Sequence, residues 1–206
     1  MTSRVPAVAL AALAAVAFAV AGCGSGSSED EPSAATAPTG AARAAQERRV
    51  ADAEVAVTAK PRSAQALAEL VEANYLAANA YTDPVDNSYS RAGIEYLRSA
   101  DRAWQRYLAL EPEKVDVAVA SMIVLAYGKT GLNQPRQAIN VQLLVAAVRK
   151  DSASFQQLAV MAYESGDRRT GDLAADQAVQ LAPASERERM RKGLRDLRAG
   201  KFPGTR

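Results

Sequence analysis

The sequence predicts an all-α domain of repeated helical hairpins, preceded by a segment that is not part of the fold. Three observations carry this prediction. The 206-residue chain holds 46 Ala against 3 Phe and 1 Trp, a composition that favours closely packed helices over an aromatic-rich β core. From residue 41 onward apolar residues recur at three- and four-residue spacing, the periodicity of an amphipathic helix. Alternating runs rich in Val, Ile and Thr, which would mark strands, are missing.

The first 22 residues read as an address. Arg4 supplies a positive n-region, and Val5 to Ala21 is uncharged and dominated by Ala, Val and Leu. This length suits a secretory h-region and is marginal for a membrane span. The stretch ends in Val20-Ala21-Gly22-Cys23, with the chain's single cysteine just after the small residues that a signal peptidase accepts. The motif resembles the lipobox of bacterial lipoproteins. That resemblance implies cleavage before Cys23 and diacylglycerol on its sulfur, hence a lipid anchor on the extracytoplasmic side of the membrane. At about 0.8 kcal/mol per buried methylene, two or three acyl chains hold firmly.

Residues 24–40, rich in Gly, Ser, Pro and Thr with the acidic run Glu29-Asp30-Glu31, form an expected flexible tether. Removing residues 1–22 takes away one charge, Arg4, leaving 24 basic and 23 acidic residues and a net charge of +1. That balance gives no reason to expect a nucleic-acid partner.

Helices are expected at about 41–59, 63–80, 90–110, 116–130, 135–149, 152–165, 168–181 and 185–199. Pro61, Pro112 and Pro183 follow helix ends. Ser63 and Asp116 have the chemistry of N-caps, and Ser185 with Glu188 has the spacing of a capping box. Gly131 and Gly166 sit in short turns between helices. Residues 200–206 are expected to be a disordered tail.

A repeat of 34 residues is clearest from Ser152 to Ser185. Phe155 opens its first helix, Leu158 and Ala159 form a large-small pair, Gly166 makes the turn, Ala175 and Ala178 are small residues of the second helix, and Pro183 closes the unit. This unit resembles a tetratricopeptide repeat, with one departure: Gly171 stands where that family usually has Ala. A less regular unit precedes it, with Ile123, Val124, Tyr127 and Gly131, then Ala138, Gln142 and Val145. Its turn, Leu132 to Pro135, is about two residues longer than the family pattern. The first full unit has Leu67, Leu70 and Val71, then Ala100, Trp104, Leu108 and Pro112, interrupted by an insertion from Tyr81 to Ser90. Ala56, Val57 and Pro61 look like the end of an earlier unit. The resemblance implies an α-hairpin solenoid of about three tetratricopeptide-like repeats over residues 41–184. Units of this kind stack because none buries its apolar face alone. The helix at 185–199 has Met190, Leu194 and Leu197 on one stripe and charges elsewhere, as a C-terminal cap on a stack end requires.

In tetratricopeptide proteins the first helix of each unit lines a concave groove that often holds a peptide. Carried over by position, this implies groove residues Gln65, Glu72 and Tyr75, then Ser121, Leu125 and Lys129, then Gln156, Val160 and Tyr163. Tyrosines, amides and a Glu/Lys pair suit an extended protein segment or a partner's helix. By spacing, Tyr96, Trp104 and Tyr107 belong to a packing seam rather than a ligand platform. Asp83, Asp86 and Asn87 lack the dense oxygen spacing and terminal Glu of a calcium loop, so they read as a polar turn.

The chain has no His, which excludes Ser-His and Cys-His nucleophilic sites and imidazole metal ligands. One Cys excludes an internal disulfide and a thiolate zinc cluster. Neither a phosphate-cradling glycine loop nor a Gly-x-Ser-x-Gly elbow is present. No catalytic residue, metal or cofactor is expected. The expected function is that of a protein-protein interaction scaffold in envelope assembly or secretion. A cell-wall glycan-binding protein or carboxylate-based hydrolase, and a structural spacer without a groove, stand beside it. Oligomeric state is left open.

Overall fold

The computed structural model describes residues 40–201. The expected signal peptide, the expected lipidation position Cys23 and nearly all of the expected tether lie outside the described residues, as do positions 202–206 of the expected tail. Among the described residues there are eight helices and no strand. They are α1 (Gly40–Ala59), α2 (Ala64–Asn79), α3 (Arg91–Leu108), α4 (Val117–Ala126), α5 (Pro135–Arg149), α6 (Ser152–Glu164), α7 (Arg168–Leu181) and α8 (Arg187–Arg198).

Most helix starts are made locally. Side-chain oxygens of Ser63, Ser90, Asp116, Asp151 and Asp167 accept hydrogen bonds from backbone N–H groups two or three residues on, satisfying donors that a helix leaves unpaired. The Ser154 N–H at Asp151 and the Thr170 hydroxyl and N–H at Asp167 hold both carboxyls below their usual range. Helix α5 has no side-chain cap and starts on Pro135, whose missing N–H costs nothing there.

Two boundaries differ from expectation. The Ser185/Glu188 capping box does not form: α8 starts at Arg187 behind Glu186, without a side-chain cap bond. Arg187 instead serves the helix before it, its guanidinium donating to Ala182 O at 3.0 Å and Gln180 O at 3.3 Å. Helix α4 stops at Ala126 rather than 130. Leu132 N–H donates to Ala126 O and Gln134 N–H to Tyr127 O, so the chain folds back over the helix end. This turn needs Gly131, because a Cβ there would lie 2.3 Å from Ala126 O.

Each helix packs on the next, and two further pairings skip one element: α2 meets α4, and α6 meets α8. Helices α4 and α6 do not pack together. One core joins α1 to α5 around Leu67, Trp104, Tyr107, Ile123 and Val145. A second joins α5 to α8 around Leu158, Ala159, Ala178 and Leu194. Helix α5 serves both cores, giving Val141 and Val145 to the first and Ile139 and Ala146 to the second.

Alanine sets the helix spacing. Ala77, Ala100, Ala159 and Ala178 are completely buried, and their small side chains let α2 close on α3 and α6 on α7. The insertion forms a short turn held by an antiparallel bridge between Thr82 and Tyr89. Within it Asp83 accepts from Val85 N–H and Asp86 from Ser88 N–H, both at 2.8 Å. These carboxylates thus act as backbone turn formers.

Candidate functional site

The nine residues implied as a groove divide into separate environments. Gln65 and Glu72 on α2 line a cleft of about 370 Å³ with Lys114 and Asp116, where α2 faces the start of α4. Gln65 Nε2 donates to Glu69 at 3.0 Å, and Glu72 lies 3.6 Å from Arg49 on α1. Tyr75 is half-buried against a small cluster formed by Ala78, Leu97 and Ala126. Ser121 donates to Val117 O of its own helix at 2.7 Å. Leu125 is 58% exposed, and Lys129 is exposed on the turn beyond α4.

On α6, Gln156 lines a second cleft with Arg189, Met190 and Gly193 of α8. Val160 is partly buried. Tyr163 is buried, contrary to its expected place on a solvent-facing groove. The reason lies on the next helix, where Gly171 leaves room for its ring. The clefts lined by Gln65 and Glu72 and by Gln156 are separate, and neither gathers residues from all of α2, α4 and α6. The separation of α4 from α6 accounts for this, and α5 fills both cores beside them.

The Tyr163 hydroxyl donates to Asp172 at 2.9 Å. Asp172 is also clasped by Arg198 of α8, at 2.7 Å. Burial, then the bond to Asp172, pushes the Tyr163 hydroxyl up to about 12. The Arg198 guanidinium, then the Tyr163 hydroxyl, hold the Asp172 carboxyl below its usual range. This network lines the α7–α8 cleft of about 520 Å³ with Arg191, Arg195 and Asp176. Its arginines are largely committed: Arg198 to Asp172, and Arg191 and Arg195 to Glu188. The departure of Gly171 from the repeat pattern was its one legible sign in the sequence.

The Gly171–Tyr163 contact yields a stability prediction. A Cβ at 171 would sit 2.5 Å from two ring carbons of Tyr163. Gly171→Ala gains about 1 kcal/mol in helix propensity but overpacks at a typical cost of about 1–3 kcal/mol. The ring is held at its far end by Asp172, so the overpacking dominates. A lower urea midpoint is expected for Gly171→Ala, and a smaller loss for the same change in a Tyr163→Leu background. An unchanged or higher midpoint in the first variant would show that the ring moves aside freely.

The aromatic residues behave as a seam. Trp104 is completely buried and stacks on Tyr107, with ring centroids 5.2 Å apart. The Tyr107 hydroxyl accepts from Asp116 N–H at 2.8 Å and donates to Lys114 O at 3.4 Å, tying α3 to the start of α4. Tyr96 sits apart from this pair, stacked on Tyr81, over which Arg43 of α1 lies. Tyr127 donates to Asp101 of α3 and accepts from Gln105. Burial first, then that carboxylate, raises its hydroxyl well above the usual range.

No group of three or more acidic or cysteine side chains among the described residues is placed to hold a metal ion. No protein-family model, curated protein or solved structure matches the chain.

Proposed function

We propose that the chain is a lipid-anchored bacterial scaffold whose stacked, tetratricopeptide-like hairpins present a protein-binding surface outside the cytoplasmic membrane. One observation carries the solenoid reading: helices two apart in sequence pack together at both ends of the domain, α2 with α4 and α6 with α8. Alternate-helix packing is what stacked helical hairpins produce. The lipobox-like Val20-Ala21-Gly22-Cys23 carries the anchoring. The binding surface is placed on α2 and α4, where Gln65, Glu72 and Lys114 line a cleft and Leu125 is exposed. Confinement of both partners to one membrane raises their effective concentration, so a modest surface suffices.

Crosslinking in native cells, with mass spectrometry of tagged protein, tests this reading. A variant carrying Gln65→Ala, Glu72→Ala and Leu125→Ala is expected to fold, because none of the three is buried. It should lose a protein partner that the unmodified chain captures. An unchanged partner set in the folded variant would remove α2 and α4 as the binding surface. The rival spacer reading draws on the division of the predicted groove into separate clefts. Capture of no protein by either form would favour it.

A further inference from the structure

A different cleft, of about 360 Å³, opens between α1, α2 and α3. Its volume lies in the range of small-molecule sites, and its walls carry opposite charges. Arg102 and Arg106 line it from α3, and Glu54 lines it from α1. Among the described residues Arg106 has no hydrogen-bond or ion-pair partner, and Arg102 has only the Ser99 hydroxyl, at 2.9 Å. Among the same residues the Glu54 carboxylate has no ion-pair partner either. By contrast, the arginines of the α7–α8 cleft are taken up by Asp172 and Glu188. Two like charges four residues apart on a helix repel each other, and among the described residues neither arginine is within ion-pair distance of a carboxylate.

The cleft is also lined by a buried polar group. Asn74 of α2 is only 1% exposed, yet it lines the cleft. Its Nδ2 donates to Leu70 O at 2.8 Å. Among the described residues no donor serves its Oδ1, which is not fully enclosed and so can be reached from the cleft. An acceptor in such a place needs a donor from water or a ligand. The complement of these groups is a small molecule with two anionic groups and one cationic donor. The cleft's own charge, two arginines against one glutamate, is +1, and such a ligand carries −1. Guanidinium groups take carboxylates in paired hydrogen bonds.

We propose that this cleft binds a dicarboxylic α-amino acid, with its carboxylates on Arg102 and Arg106 and its ammonium between Glu54 and the Asn74 Oδ1. Each part of the site then has a separate function. The arginines supply attraction. Glu54 supplies selectivity, because it repels a dicarboxylate that lacks the ammonium.

Isothermal titration of the full chain at low salt tests the assignment, with L-glutamate, glutarate and L-alanine as probes. L-glutamate is expected to bind, with glutarate and L-alanine each weaker by at least about tenfold. Arg102→Ala/Arg106→Ala should weaken L-glutamate by about tenfold or more. Glu54→Gln should remove the preference for L-glutamate over glutarate. All three side chains belong to exposed residues, and circular dichroism verifies that each variant folds. Absence of heat with L-glutamate at millimolar concentration overturns the proposal. So does equal binding of glutarate to the unmodified protein, or undiminished L-glutamate binding by the double-arginine variant.

Discussion

Cys23→Ala is expected to move the protein from the membrane fraction to the soluble extracytoplasmic fraction and to abolish incorporation of labelled palmitate. The argument is arithmetic. At about 0.8 kcal/mol per buried methylene, one long acyl chain anchors marginally and two or three anchor durably. On the lipoprotein reading proposed above, alanine removes the sulfur that would carry the diacylglycerol, and with it the anchor at that residue. Nothing in the described helices replaces the loss, since none is long and apolar enough to cross a membrane. Fractionation and palmitate labelling read the two consequences separately. Membrane retention without palmitate in Cys23→Ala would mean that residues 5–21 stay attached as an uncleaved anchor. Unlabelled Cys23 in the unmodified protein would refute the lipoprotein reading.

Trp104→Ala should cause the largest loss of stability from a single side chain. Trp104 is completely buried in the core shared by α1 to α5 and stacks on Tyr107. Truncating a buried aromatic to alanine costs about 3–5 kcal/mol, a sum of lost transfer energy and the cavity left behind. That is a large part of the roughly 5–15 kcal/mol that stabilises a typical domain. Tyr107 loses its stacking partner at the same time, and its hydroxyl organises the start of α4. The comparison variant is Trp104→Phe. The indole Nε1–H is buried with no acceptor among the described residues, and an unsatisfied donor of this kind costs about 1–3 kcal/mol. Phenylalanine removes that penalty while keeping an aromatic ring, so it should lose less than half as much as alanine. Urea unfolding followed by circular dichroism measures both. Equal losses in the two variants would mean that shape at this site outweighs the orphaned donor. A loss below about 1 kcal/mol in Trp104→Ala would mean that the cavity collapses readily.

Helix capping was largely legible because it is local chemistry. Ser63 and Asp116 act on N–H groups two or three residues away, and neighbours in sequence suffice to recognise them. Ser185 and Glu188 show the limit of such signals. Their spacing fits a capping box, but Arg187 is drawn to the carbonyl ends of α7 and the helix starts later. Gly200, at a φ of 80°, and Lys201, both expected in the C-terminal tail, instead close α8 with backbone bonds to Leu197 and Asp196. Helix α4 ends short of the expected 130 because Tyr127 to Thr130 already belong to the turn, which Leu132 and Gln134 close on the carbonyls of Ala126 and Tyr127.

The candidate site was legible only in pieces. Gln65, Leu125 and Gln156, carried over as groove residues from the tetratricopeptide resemblance, are exposed. The same resemblance implied a groove position for Tyr163, and the structure buries it. The missing information is the shape of α7, where one glycine admits the ring and Asp172 takes its hydroxyl. The α1–α2–α3 cleft has the same character. Glu54, Asn74, Arg102 and Arg106 belong to three helices and share no motif.

Helix content, most helix limits and the buried alanine seams follow from residue order, because an α-helix is closed by hydrogen bonds four residues apart and its apolar stripe repeats every 3.6. Tertiary structure decided the rest: the gap between α4 and α6, the two cores sharing α5, the burial of Tyr163 and the unpaired charges on α1 and α3. Those features depend on side-chain volumes and charges from segments far apart in the chain, and they exist only once the helices have packed.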